Sequence, residues 1–413
     1  MERAATRGQP GALAAIQAMV TGEAPQSVLL IGPPSSGKTT LAMDLAAGLL
    51  CHDPDPAARP CGNCRGCRQV ASGNHPDLHR LAPEGAGRQI KIGNPHDPEP
   101  GTIRHLIGEL ALLSVEGGAR VAIVEQAHRL NEDSQNALLK MLEEPPSGVT
   151  IVLCADDEEC LLPTVRSRCM RVRLGSVGTR EIERWLGDLG VADAPQAARA
   201  ARLSGGRPGL ALAYAKAPEA ERLRDEIARS LLDLLSADRH TRLVTIRGLM
   251  TSAAALEAAL GAARAIRAGG DEAGGAATGG APATPRRRKL RSALAEPEEA
   301  EKDSAPDEPK VSASDRRGAA AALIGIWASL ARDLAVVARG GDRQAANPQL
   351  LEEVRAVSPK VNPARLRAFI DRLTELGAGL DDNLNPELAL DVLALAWPRS
   401  EQMGTVALAA PRR

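Results

Sequence analysis

A chain of 413 residues is longer than one ordinary hydrophobic core organises and calls for two or three domains. Its formal net charge of −1 excludes whole-molecule attraction to nucleic acid, and one Phe, one Tyr and three Trp provide no stacking platform for single strands. No signal-peptide segment follows Met1 and no uninterrupted apolar run reaches bilayer-spanning length, so a cytosolic protein without membrane contact is expected, in which clustered cysteines read as metal ligands rather than disulfides.

Residues 11–20 carry Leu13, Ile16 and Val20 at helical spacing and lead into an apolar strand at 27–31. The next residues, Gly32, Pro33, Pro34, Ser35, Ser36, Gly37, Lys38, Thr39 and Thr40, open another helix. Strand, glycine-rich loop and helix in this order form a nucleoside-triphosphate cradle, in which backbone N–H groups and the helix N-terminus face the phosphates. Lys38 then reaches the terminal phosphates, and Thr39 offers its hydroxyl to Mg²⁺. The helix runs to about residue 50, where Cys51 is followed by Cys61, Cys64 and Cys67. Two overlapping C-x₂-C hooks plus Cys51 supply four thiolates, the ligand set of tetrahedral, structural zinc with no open position for water.

Residues 72–101 read as loop with one edge strand at 88–92, and His75, His79 and His96 as solvated loop histidines rather than metal ligands. An amphipathic helix follows over 102–113, capped by Thr102, and then an apolar strand ending in Glu125 and Gln126. A carboxylate at that strand end can hold the Mg²⁺ water shell, which places Glu125 with the nucleotide ligands. Gln126 cannot accept a proton, so these residues predict nucleotide binding with weak or absent hydrolysis. A helix at 133–144 stopped by Pro145 and Pro146, a strand at 149–154 holding a core Cys154, and a loop Cys160 continue the alternation. Such alternation implies a parallel sheet with helices on both faces. Arg171 and Arg173 read as a solvated basic face.

From Thr179, read as a helix cap, the pattern is wholly helical. Residues 268–317 change character, with Gly/Ala/Pro repeats, a basic run at 286–289 and an acidic run at 296–301, and read as a disordered solvated insertion within a helical domain.

The glycine-rich loop, the cysteine module, Asn136 to Pro146, Ser167-Arg168-Cys169 and the late Asn385-Pro386-Glu387-Leu388-Ala389-Leu390 together resemble bacterial DNA polymerase III clamp-loader subunits of the AAA+ class. The resemblance implies an α/β AAA+ P-loop module at 1–174 with a zinc module at 51–67. A helical lid at 175–216 and an all-α collar at 217–267 and 318–400 follow, with a tail at 401–413. It implies ATP/Mg²⁺ or ADP and Zn²⁺ as cofactors, and Arg168 as an arginine finger acting on a neighbour's nucleotide. It implies a hetero-pentameric ring with tau/gamma and delta subunits, a sliding clamp and primed DNA as partners. Glu125-Gln126 in place of Asp-Glu, Gly209 where a motor's lid carries arginine, and no long extension after Trp397 point to the delta-prime branch. An active tau/gamma-type motor and a zinc-containing nucleic-acid module are the alternatives.

Overall fold

The computed structural model describes residues 4–22, 24–83, 89–116, 118–268, 313–380 and 384–400. Five strands, β1 Ser27–Ile31, β2 Leu78–Leu81, β3 Arg120–Val124, β4 Val149–Ala155 and β5 Met170–Arg173, form one parallel sheet in the order β2-β3-β4-β1-β5. Every residue of β1, β3 and β4 is buried, as expected for parallel strands covered on both faces. The pleat sorts them by alternation. Val28, Leu30, Val152 and Cys154 pack under the helices α1 Pro10–Thr21 and α2 Lys38–Leu49. Leu29, Ile31, Leu153 and Ala155 face the opposite layer.

The short α3 Arg65–Ala71 carries Cys67 of the cysteine hooks, and α4 Ile103–Ala111 and α5 Glu132–Glu143 cover the second face, before the single turn α6 Pro163–Arg166. Thr102 caps α4, its Oγ1 accepting from the His105 amide at 3.4 Å. Because β1 lies between β4 and β5, the chain leaves it in opposite directions, and the carboxyl ends of β1 and β4 meet where such sheets bind ligands.

Three expectations need correction. The edge strand is β2, not 88–92: Ile90 makes one isolated parallel bridge to Leu130, and Arg88 lies outside the described residues. Leu-His-Arg-Leu hides its strand character because only its two leucines turn fully inward. His75 and His79 are accordingly not solvated: His75 is 3% exposed, and His79 faces Glu109 at 3.2 Å. Thr179 occupies the first helical position and Gly178 the cap, so no side chain caps that helix.

The remaining helices are α7 Thr179–Asp188, α8 Ala194–Leu203, α9 Pro208–Lys216, α10 Pro218–Asp233, α11 Arg239–Ala268, α12 Ala313–Val337, α13 Leu351–Val357, α14 Pro363–Gly379 and α15 Pro386–Ala396. One apolar core runs through them from Val177 to Trp397. Helix resumes at Ala313, inside the expected insertion; residues 269–312, with both charged runs, and the tail at 401–413 lie outside the described residues.

Three of the five aromatic side chains converge in this core. The rings of Trp327, Phe369 and Trp397 lie 4.6–5.6 Å apart, and Trp397 Nε1 donates to the Leu231 carbonyl at 3.0 Å. Two helices, Arg239–Arg264 and Asp315–Val337, are long and apolar enough to cross a membrane by length and composition, but their apolar side chains contribute to this core.

Candidate nucleotide site and metal centre

A cavity of about 600 Å³ opens at the carboxyl ends of β1, β3 and β4, with Pro34 through Thr40 along one wall. The loop turns through left-handed backbone at Ser35 (φ 62°) and Gly37 (φ 102°), which brings the N-terminus of α2 to the cavity with no side chain capping it. Ser36 Oγ is buried and lacks a hydrogen-bond partner among the described residues. An uncapped helix start, an orphaned hydroxyl and a buried lysine fit the phosphates of a nucleotide. Gly32 and Pro33 contribute carbonyls: Lys38 Nζ donates to them at 2.6 and 2.9 Å and pairs with Asp156 Oδ1 at 2.6 Å. These three acceptors use all three ammonium donors.

Asp156 was not anticipated. It directly follows the buried strand β4 and also gathers His128, whose Nε2 lies 3.6 Å from Asp156 Oδ2 while Nδ1 accepts the Asp156 amide at 3.2 Å. A polar residue next to an all-apolar parallel strand is a readable sign of the ligand edge. Its carboxylate competes with phosphate for Lys38. Asp156→Asn keeps an acceptor and removes the charge, and is expected to tighten nucleotide binding about tenfold (~1.4 kcal/mol). Titration with a fluorescent ATP analogue checks this; unchanged affinity would show that the carboxylate does not compete.

Glu125 also reaches the cavity but is held from β2, accepting from Arg80 Nε at 3.0 Å and Nη2 at 2.5 Å. Gln126 lines the same wall in left-handed backbone (φ 51°). Nothing in the sequence pattern links Arg80 to Glu125, because pairing of β2 with β3 brings them together. Trp185 and Gly209 line the cavity from α7 and the start of α9. The Gly209 amide donates to the Ser35 carbonyl at 3.0 Å, and a Cβ there would stand 3.1 Å from that oxygen. Glycine therefore permits direct contact between this helix and the phosphate loop. Arg207 does not line the cavity; its Nε donates to the Ser204 carbonyl at 2.8 Å, and burial lowers its pKa.

At the far end of α2 the four expected cysteines come together, all sulfurs within 4.8 Å of one another. Cys51 and Cys64 sulfurs are 3.9 Å apart, and those of Cys61 and Cys67 4.0 Å. A zinc tetrahedron with bonds of about 2.3 Å has edges of about 3.8 Å, so the donor set fits this ion. Backbone amides support it: Cys61 donates to Cys51 Sγ at 3.4 Å, Cys64 to Cys61 at 3.4 Å and Cys67 to Cys64 at 3.3 Å. Amides of Asn63 and Cys64 lower the Cys61 thiol to about 6, whereas burial pushes Cys51 and Cys67 up. Beside this cluster, His75 Nδ1 accepts the Asp77 amide, so the proton sits on Nε2, directed at Glu116 3.6 Å away. The ring is therefore neutral, and burial lowers its pKa.

Arg168 lies elsewhere, after α6 and outside the cavity lining, paired with Glu143 and donating to the Thr164 carbonyl at 2.8 Å. Arg171 and Arg173 pair with Glu158 on the exposed side of β5. Cys154 is buried and Cys160 exposed, as expected.

Residues 8–177 match the family model described as "DNA polymerase III, delta subunit". DNA polymerase III subunit delta' of Pseudomonas aeruginosa is 37% identical over 182 residues, 44% of this chain and 52% of that protein. Subunit tau of Escherichia coli is 31% identical over 180 residues, 43% of this chain and 26% of that one. A solved gamma subunit-related protein from Thermotoga maritima aligns over 94% of this chain and 99% of that one, at 16% identity and a TM-score of 0.42. The chain spans about half the length of the delta-prime relatives it matches. Residues 8–177, which carry the phosphate loop, the cysteine cluster and Arg168, are thus similar to the DNA polymerase III delta and delta' subunits.

Proposed function

We propose that this chain acts as the stator of a clamp loader: a cytosolic subunit that binds ATP/Mg²⁺ or ADP with little turnover of its own and helps place a sliding clamp on primed DNA. The observation that carries the reading is the cavity wall at the end of β3. There a carboxylate held by Arg80 is followed by an amide where a proton acceptor is needed. Lys38 and the α2 N-terminus hold phosphate, Thr39 and Glu125 face the metal position, and the four cysteines hold structural zinc. Residues 1–174 serve as the AAA+ module, 175–216 as the lid, and 217–267 with 318–400 as the collar. The partners are tau/gamma and delta subunits in a hetero-pentameric ring. Leu388 and Val392, exposed one turn apart on α15, support a subunit contact there. Arg168, outside its own cavity, serves a neighbour's nucleotide.

The intact phosphate loop favours a second reading, an active motor of the tau/gamma type. Steady-state ATP turnover by the purified chain and by Gln126→Glu separates the two. The stator reading expects negligible turnover in the unmodified chain and a measurable rise in the variant; brisk turnover in the unmodified chain would overturn it.

A further inference from the structure

We propose that the C-terminal helices carry a second anion site, built to take the phosphates of a nucleic-acid backbone. A cavity of about 430 Å³ lies between the start of α11, one face of α14 and the end of α15, and its wall carries Arg239, Arg242, Arg365, Arg372 and Arg399. Among the described residues, no acidic side chain lines it. Elsewhere arginines of these helices sit against carboxylates, Arg199 with Glu221 and Asp225, Arg355 with Asp342 and Glu352. Among the described residues, no carboxylate pairs with Arg239, Arg365, Arg372 or Arg399.

The pocket is also built rather than incidental. Arg242 is 2% exposed and forms the floor, donating to the carbonyls of Ala237, Ala394, Trp397 and Pro398. Burial, and then the nearby Arg399 cation, lower its pKa. Arg399 is fixed by its neighbour: Ser400 donates its amide to the Leu235 carbonyl at 2.9 Å and bridges Val361. Arg365 and Arg372 share one face of α14, with Phe369 between them turned into the core.

Seven residues of helix separate Arg365 from Arg372, about 10.5 Å along the axis, so a ligand satisfying the set carries charge at more than one place. A phosphodiester backbone does this and binds through charge alone. An acidic peptide needs apolar anchors besides. Trp397 and Phe369 are each 2% exposed, which among the described residues leaves Leu395 as the one large exposed apolar side chain on the wall. The site lies outside the phosphate-loop cavity and is independent of what that cavity binds.

The test uses the full chain carrying Lys38→Ala, which silences the first site. A fluorescein-labelled oligo-dT is titrated by anisotropy over a salt series, with pyrophosphate and polyglutamate as competitors. The expected result is salt-dependent binding that Arg365→Ala/Arg372→Ala weakens at least tenfold, with the salt slope reduced by about 1.4, or about 0.7 for each lost phosphate contact. Both arginines are exposed, so an unchanged thermal melt accompanies the loss. Three results would each overturn the proposal: no oligonucleotide binding, binding indifferent to the double variant, or displacement by polyglutamate at lower concentration than by pyrophosphate. Pyrophosphate binding to the same arginines without oligonucleotide binding would likewise reject a nucleic-acid backbone in favour of a small phosphate.

Discussion

Cys67→Ser is expected to abolish zinc binding and release residues 51–71 from their fold, with zinc content falling from about one ion per chain to none. Structural sites of this kind bind with about 10–16 kcal/mol of apparent free energy at neutral pH, and that energy is folding energy for the module that holds them. Here the module has little else to rely on. Between Cys51 and Arg65 the chain has one short 3-10 turn and only Cys51 and Pro60 buried. The sulfur-to-amide hydrogen bonds exist only while the thiolates stand together. The variant should gain protease cleavage between Cys51 and Ala71, and a chelator should do the same to the parent chain. The phosphate loop sits at the other end of α2, about 18 Å away for twelve residues. Nucleotide affinity is therefore expected to change much less than protease resistance. A parent chain purified without zinc, equally resistant with and without chelator, would contradict this reading.

Much of this architecture was legible because local chemistry and tertiary role coincided. The loop from Gly32 to Thr39 declares itself through glycines, lysine and the preceding apolar strand, and the cysteine hooks through spacing alone. The alternation of buried strands and amphipathic helices announces the parallel sheet. What was not legible depends on pairing across the sheet. Leu78–Leu81 reads as loop until β3 lies beside it, and only that pairing delivers Arg80 to Glu125. Asp156 looks like any acidic loop residue until β4 and β1 are neighbours and its carboxylate meets Lys38. His75 reads as a solvated loop residue until Glu116, forty-one positions on, folds over it. The arginines of the C-terminal pocket come from α11, α14 and the segment after α15, far apart in sequence, so their convergence leaves no local pattern.

Arg168→Ala is expected to leave assembly with motor subunits intact and to lower their DNA-stimulated ATP turnover about a thousandfold at the site it serves. An arginine finger supplied in trans contributes about 10³–10⁵ to turnover, because a planar cation meets the charge that develops on the transferred phosphoryl group. The structure gives Arg168 the properties such a role needs. It sits beyond a single turn begun by Pro163, outside the cavity of its own chain, and its guanidinium is exposed and held by Glu143 and the Thr164 carbonyl. Those partners orient the side chain without burying it, so a phosphate arriving from a neighbour can replace Glu143. Arg166, two residues earlier and paired with Glu159 at 2.9 Å, provides the control: Arg166→Ala alters the same basic segment and should leave turnover nearly unchanged. Total turnover of the assembled complex falls only by the share of the one interface affected, so pre-steady-state measurement of single-site hydrolysis is the better readout. Equal rates in the Arg168→Ala complex and its parent would remove the finger assignment, and equal losses from Arg166→Ala and Arg168→Ala would reduce it to a general effect of surface charge.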